Sequence, residues 1–90
     1  LGKAAPELQP VALDPLLRDV VSGWRSHAER KAQSVQVVGT RLTVGTDPRM
    51  LRTILGNLIG NAIKYTPEGG RILVGCRRRG ACVSLEVWDT

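Results

Sequence analysis

Hydrophobic residues recur along this chain with two periods, near 3.6 in two stretches and near 2 elsewhere, and the changes between them predict seven elements. Leu17, Val20, Val21, Trp24 and Ala28 form the apolar stripe of a first helix. Asp14 is placed to cap it and Pro15 occupies its first turn, where a missing N–H costs nothing; the pattern fades near Lys31–Gln33. A second helix starts with the same pair, Asp47-Pro48, and ends by Thr66, because a residue before proline disfavours the α region. Its core-facing arc holds Leu51, Ile54, Leu55, Leu58 and Ala62.

Val11–Leu13, Ser34–Val38 and Arg41–Val44 read as short strands, the last two separated by Gly39-Thr40. Arg71–Arg77 and Ala81–Trp88 alternate and predict a hairpin around Arg78-Arg79-Gly80. With Cys76 opposite Cys82, Leu73 faces Leu85 and Gly75 faces Val83, so that Leu73, Val83, Leu85 and Val87 share one face. Asp89 continues that face toward the helices, and the three-residue turn needs Gly80 at positive φ. The order β-α-β-β-α-β-β predicts an α+β fold, a two-layer α/β sandwich with both helices on one face of a mixed sheet. Residues 1–10, with two prolines and no periodicity, read as a linker, and residues 11–90 as one domain.

The second helix carries more than a core stripe. Gly56, Asn57, Gly60 and Asn61 lie inside it, although Asn is a poor helix former and Gly costs ~0.8–1 kcal/mol against Ala. Asn57, Asn61 and Lys64, spaced i, i+4, i+7, share a narrower arc beside the stripe. A helix that accepts such residues along one flank uses that flank for something. Taken singly, each residue has a plainer reading, as a solvated or capping asparagine or a solvated lysine.

Composition narrows the function classes. A chain of 90 residues, 42% hydrophobic, makes one small domain with a modest core. It has no run of 18 apolar residues and no signal-peptide pattern; the GxxxG of Gly56 and Gly60 sits among two Asn and a Lys, so no direct membrane contact is expected. The net charge of +5 suits phosphate groups, an anionic surface or nucleic acid. Aromatics at 3% leave almost no stacking platform for single strands, so no nucleic acid is expected, and a basic nucleic-acid-binding or non-catalytic interaction module built on the Arg71–Arg79 hairpin stands as the alternative. Two cysteines, Cys76 and Cys82, are too few for a secreted disulfide framework and fit no zinc spacing. His27, at the margin of the first stripe, reads as a half-buried packing residue.

The run NLIGNAIKYTP at 57–67 resembles the N box of the ATP-binding domain of sensor histidine kinases, in the GHKL ATPase superfamily. Asp47-Pro48 ahead of it, Gly69-Gly70 leading into a strand, and EVWDT at 86–90 extend the resemblance over roughly Val11–Thr90. The Lys-Tyr-Thr-Pro ending is similar to the histidine kinases rather than to heat-shock chaperones or type II topoisomerases. The resemblance implies a Bergerat-like sandwich that binds ATP and Mg²⁺. It assigns Mg²⁺ contact to Asn61 with Asn57 beside it, phosphate contact to Lys64, packing on the adenine to Tyr65, and acceptance from the adenine amino group to Asp89. A neutral carboxamide oxygen suits Mg²⁺ without adding negative charge against the triphosphate. Guanine would offer Asp89 an acceptor where adenine offers a donor.

No catalytic residue is expected in this segment. The resemblance implies a cytoplasmic protein histidine kinase that autophosphorylates a histidine on a separate, upstream helical domain and serves a response regulator receiver in two-component signal transduction. His27 is not that histidine, because the family's acceptor lies in the upstream domain with its own motif. The family continues past Asp89-Thr90 into glycine-rich boxes, a lid over ATP and further strands. Residues 1–10 would then be the linker from the upstream domain, and residues 11–90 the first part of an ATP-binding domain, inactive alone. An unpaired outer edge on its last strand is expected to make the chain self-associate as a homodimer.

Overall fold

Two helices and five strands follow one another in the predicted order in the computed structural model, which describes residues 5–89. They are β1 (Gln9–Ala12), α1 (Leu13–Glu29), β2 (Ser34–Val37), β3 (Thr43–Thr46), α2 (Pro48–Tyr65), β4 (Arg71–Arg79) and β5 (Cys82–Asp89). β2 pairs with β4 in parallel and β4 with β5 antiparallel, giving a mixed three-stranded sheet, while β1 and β3 form a separate antiparallel pair. The expected single mixed sheet is thus two. Among the described residues no helix is long and apolar enough to cross a membrane.

The two helices start differently. Asp47 caps α2 as expected: its side chain accepts from the Arg49 N–H at 2.9 Å, and Pro48 occupies the first turn. Asp14 does not cap α1, which begins two residues earlier, with Ala12 at the cap and no side-chain cap bond. The earlier start places Leu13 in the core, and the Leu13 N–H finds the Leu42 carbonyl at 3.0 Å. Asp14 instead accepts from Arg18 Nε at 2.8 Å and from the Thr40 N–H at 3.0 Å, which hold its carboxyl below the usual range. Gln9 and Pro10, expected in the linker, belong to β1, opposite Thr46 and Gly45. Residues 1–4 of that expected linker lie outside the described residues.

The core is built from Leu13, Leu16, Leu17, Val21 and Ala28 of α1, Leu51, Leu55, Ile59 and Ile63 of α2, and Val35, Ile72 and Val74 of the sheet. The face of α2 differs from the expected arc: Ile54 and Leu58 are 50% and 38% exposed, and Ile59 and Ile63 are buried in their place. Apolar positions cover roughly half the circumference of α2, so periodicity leaves its rotation open. Contact with α1 decides it. Trp24 lies against the glycine side of α2; a Cβ on Gly60 would stand 2.9 Å from the indole Cη2. His27, expected half-buried, is exposed and packs tilted against the Trp24 ring, with centroids 5.0 Å apart and planes at 54°.

The hairpin register also differs. The expected pairing of Cys76 with Cys82 does not form: Arg79 stands opposite Cys82, Cys76 opposite Leu85, and Leu73 opposite Trp88. Gly80, at φ 60, and Ala81 form a two-residue turn, whose twist matches the strands better than the expected three-residue one. Val83, Leu85 and Val87 keep the helix-facing side, but β4 contributes Ile72, Val74 and Cys76 to it, and Leu73 turns outward. Full burial of Ile72 and Val74 sets this register.

Candidate functional site

Three of the five expected site residues, Asn57, Asn61 and Lys64, lie exposed along one flank of α2, each a helical turn from the next. Both asparagines are exposed, and neither side chain makes a hydrogen bond among the described residues. Tyr65 is 71% exposed at the end of the helix, with Lys64 Nζ 5.3 Å from its ring centroid.

Asp89 comes from β5, yet the fold brings it to this helix end. Thr66, the residue after α2, donates from Oγ1 to Asp89 Oδ2 at 3.1 Å. Asp89 stands opposite Ile72 on the helix-facing side of the sheet, as its place in the strand predicts. The structure therefore gathers Lys64, Tyr65 and Asp89 around the carboxyl end of α2, with Asn61 and Asn57 one and two turns back.

Exposed Met50, Ile54 and Leu58 fall beside the asparagines on α2, an apolar margin that the expected core stripe had hidden. Thr66, Lys31 and Gln33 were also missed as site neighbours. Thr66 belongs to the Lys-Tyr-Thr-Pro ending and could have been found there, whereas Lys31 and Gln33 carry no local signal.

The residues fit ATP and Mg²⁺ by donor type. Two solvent-facing carboxamide oxygens suit Mg²⁺, the ammonium of Lys64 suits phosphate, the open Tyr65 ring offers a stacking face, and Asp89 keeps one carboxylate oxygen beyond the one bonded to Thr66. The site is an open flank. A cleft of about 550 Å³ lies elsewhere, between β3 and the Cys82 end of β5, lined by Leu13, Thr43–Thr46, Leu51 and Gly80–Val83.

The basic hairpin is partly self-neutralised. Arg79 Nη2 reaches Glu86 Oε2 at 3.0 Å and Arg77 Nε lies 3.7 Å from Oε1. The hydrogen bond from Arg79, with the charge of Arg77, holds the Glu86 carboxyl below its usual range. Arg77 also lies over the Trp88 ring, 5.9 Å from its centroid. These contacts turn two of the three arginines onto the protein itself.

Residues 46–90 match the family described as Histidine kinase-, DNA gyrase B-, and HSP90-like ATPase. The chain is 37% identical over 83 residues to the adaptive-response sensory kinase SasA of Synechococcus elongatus, covering 89% of this chain and 21% of SasA, so it spans about a fifth of that relative. Among solved structures, full-length ShkA in complex with AMPPNP superposes with a TM-score of 0.83 at 30% identity, over 96% of this chain and 19% of ShkA. The catalytic domain of histidine kinase ThkA superposes with a TM-score of 0.80 at 24% identity, over 93% of this chain and 58% of that domain. ThkA in complex with the response regulator protein TrrA gives the same TM-score of 0.80.

Proposed function

The chain belongs to the histidine kinase-, DNA gyrase B- and HSP90-like ATPases, as part of a histidine kinase catalytic domain, and on that premise we propose that it holds Mg²⁺-ATP for a two-component sensor kinase. Asn61 would hold the metal through its carboxamide oxygen with Asn57 beside it, Lys64 would donate to phosphate oxygens, Tyr65 would pack on the adenine, and Asp89 would accept from its amino group. ATP, when bound, supplies the phosphoryl group for a histidine on a separate helical domain of the whole protein, and a response regulator receives it next. This chain contributes positioning and charge, and no general base, as is usual in phosphoryl transfer. The protein works in the cytoplasm.

The observation that carries this reading is the 3.1 Å bond from Thr66 to Asp89, which brings the β5 carboxylate to the helix end that carries Lys64 and Tyr65. Mg²⁺-dependent ATP binding tests it, measured on the chain alone and on the chain extended to the length of a whole catalytic domain. Asn61→Asp and Asp89→Asn should each weaken binding about tenfold or more, the scale of one hydrogen bond to a charged group. Unchanged binding in both variants would remove the site assignment.

By itself the chain pairs with a second copy along β5. Among the described residues β5 has a neighbour, β4, on one side only, and Val83, Leu85 and Val87 are only partly covered. Sedimentation at several concentrations should show a dimer, and a single monomeric species at high micromolar protein would exclude it. The two-residue turn makes Arg79 and Cys82 a hydrogen-bonded pair, so the Ser84 N–H points at β4 and the Leu85 N–H points to the open edge of β5. Proline at Leu85 therefore disrupts the dimer, and proline at Ser84 disrupts the hairpin.

A further inference from the structure

Two side chains from the α1–β2 connection close the end of α2. Lys31 Nζ donates to the carbonyls of Ile63 at 2.7 Å, Lys64 at 3.1 Å and Thr66 at 3.0 Å. Gln33 Nε2 donates to the carbonyls of Ile63 at 3.0 Å and Thr66 at 2.8 Å. A helix leaves its last four carbonyls without partners of its own, and these two residues supply partners for those of Ile63 and Lys64 as well as for the Thr66 carbonyl just beyond. Gln33 is only 7% exposed, and its Oε1 has no partner among the described residues, so this amide sits where an apolar side chain would cost less. The same connection is tied to the following turn by backbone bonds, Gly69 N–H to the Lys31 carbonyl at 2.9 Å and Ser34 N–H to the Gly70 carbonyl at 3.1 Å.

At the centre of this arrangement is Thr66, 1% exposed. Its N–H donates to the Ala62 carbonyl at 2.9 Å, its own carbonyl accepts from Lys31 and Gln33, and Pro67 limits the chain beyond it. With backbone donor and acceptor both engaged and the side chain buried, its hydroxyl donates to Asp89 Oδ2.

We propose that Lys31, Gln33 and Thr66 are positioning residues for Asp89 and thereby determine how strictly the site selects adenine. The proposal rests on the reading that Asp89 accepts from the adenine amino group. A carboxylate near the end of a strand can turn about two side-chain bonds. Bonding one oxygen to a fixed hydroxyl removes that freedom before the ligand arrives and leaves the other oxygen aimed. Because Lys31 and Gln33 both serve the Ile63 and Thr66 carbonyls, either alone keeps Thr66 in place, and losing both releases it.

The test compares ATP with purine riboside 5′-triphosphate, which lacks only the amino group, by equilibrium binding to the form of the protein that binds ATP. The ratio of the two affinities isolates the amino contact. Thr66→Val should lower that ratio roughly tenfold, and Thr66→Ser should restore it. Lys31→Met or Gln33→Met alone should change it little, and the two together should lower it as far as Thr66→Val. A purely structural role would weaken both ligands equally and leave the ratio where it was, and that result overturns the proposal. Asp89→Asn separates the two claims. If it collapses the ratio while Thr66→Val and the Lys31→Met/Gln33→Met pair do not, the positioning role is excluded and the Asp89 reading stands. If Asp89→Asn leaves the ratio unchanged, both fall together.

Discussion

The two ends of β5 are held by different means. At Asp89 the strand is joined to β4 opposite the fully buried Ile72 and to α2 through Thr66. At Cys82 it leaves a two-residue turn and borders the cleft toward β3, with exposed arginine–glutamate contacts as its side-chain ties. The first end depends on groups far apart in sequence, and the expected site residues lie there. The second depends on local turn geometry and screened charge, which tolerate change. A binding site needs fixed angles, and long-range hydrogen bonds beside a packed core supply them.

Core truncation should separate the two ends most. Ile72→Ala removes a fully buried side chain opposite Asp89 and should cost about 2–5 kcal/mol in urea unfolding. Val83→Ala, half-buried at the cleft, should cost less than about 1.5 kcal/mol, since part of its surface already meets water. Equal losses would mean that the cleft end is packed as tightly as the site end.

A smaller effect sharpens the contrast on α2, the helix that receives Asp89. Gly60→Ala should lose about 1–3 kcal/mol, because the new methyl meets Trp24 at 2.9 Å. Gly56→Ala meets Trp24 Nε1 at an ordinary 3.7 Å and should gain up to about 1 kcal/mol from helix propensity. Thermal melting of both variants checks the pair; a stabilised Gly60→Ala would show that the indole moves freely.

Next comes acid. The Glu7 N–H at 3.1 Å, followed by the N–H groups of the first turn of α2, hold the Asp47 carboxyl below its ordinary 3.8, against the opposing effect of burial. The unfolded chain therefore binds this proton first as pH falls. The stability Asp47 contributes is complete above about pH 3.8 and is lost below it, down through the lowered folded value. Asp47→Asn should remove that part of the acid limb in unfolding measured from pH 6 to pH 2. A limb that keeps its slope in the variant would assign the loss to other carboxylates.

The smallest effect belongs to the hairpin. Arg79→Ala gives up an exposed ion pair with Glu86 and should shift the unfolding midpoint barely measurably, less still at high salt. A large, salt-resistant loss would place the hairpin tip among the structural elements and undo the contrast between the two ends.

Much of this was present in local residue pattern. The seven elements, their order, the Asp47 cap and the exposed Asn57–Asn61–Lys64 flank all follow from spacing, because periods, caps and prolines act within a few residues. The side of β5 that carries Asp89 followed from strict alternation along the strand. Rotation of α2 did not follow, since an apolar band covering roughly half a helix leaves the buried face to be chosen by Trp24 and the sheet. The hairpin register depended on whether Leu73 or Ile72 entered the core, and a shift by an odd number of residues exchanges the two. The clamp of Lys31 and Gln33 on Thr66, across separations of 35 and 33 residues, exists only once α1, β2 and the end of α2 have met. Chain pattern alone thus determined that Asn57, Asn61 and Lys64 share one exposed flank and that Asp89 faces the helices. Tertiary packing decided that Asp89 meets Thr66 at the end of α2, because a hydrogen bond between distant residues has no local period to announce it.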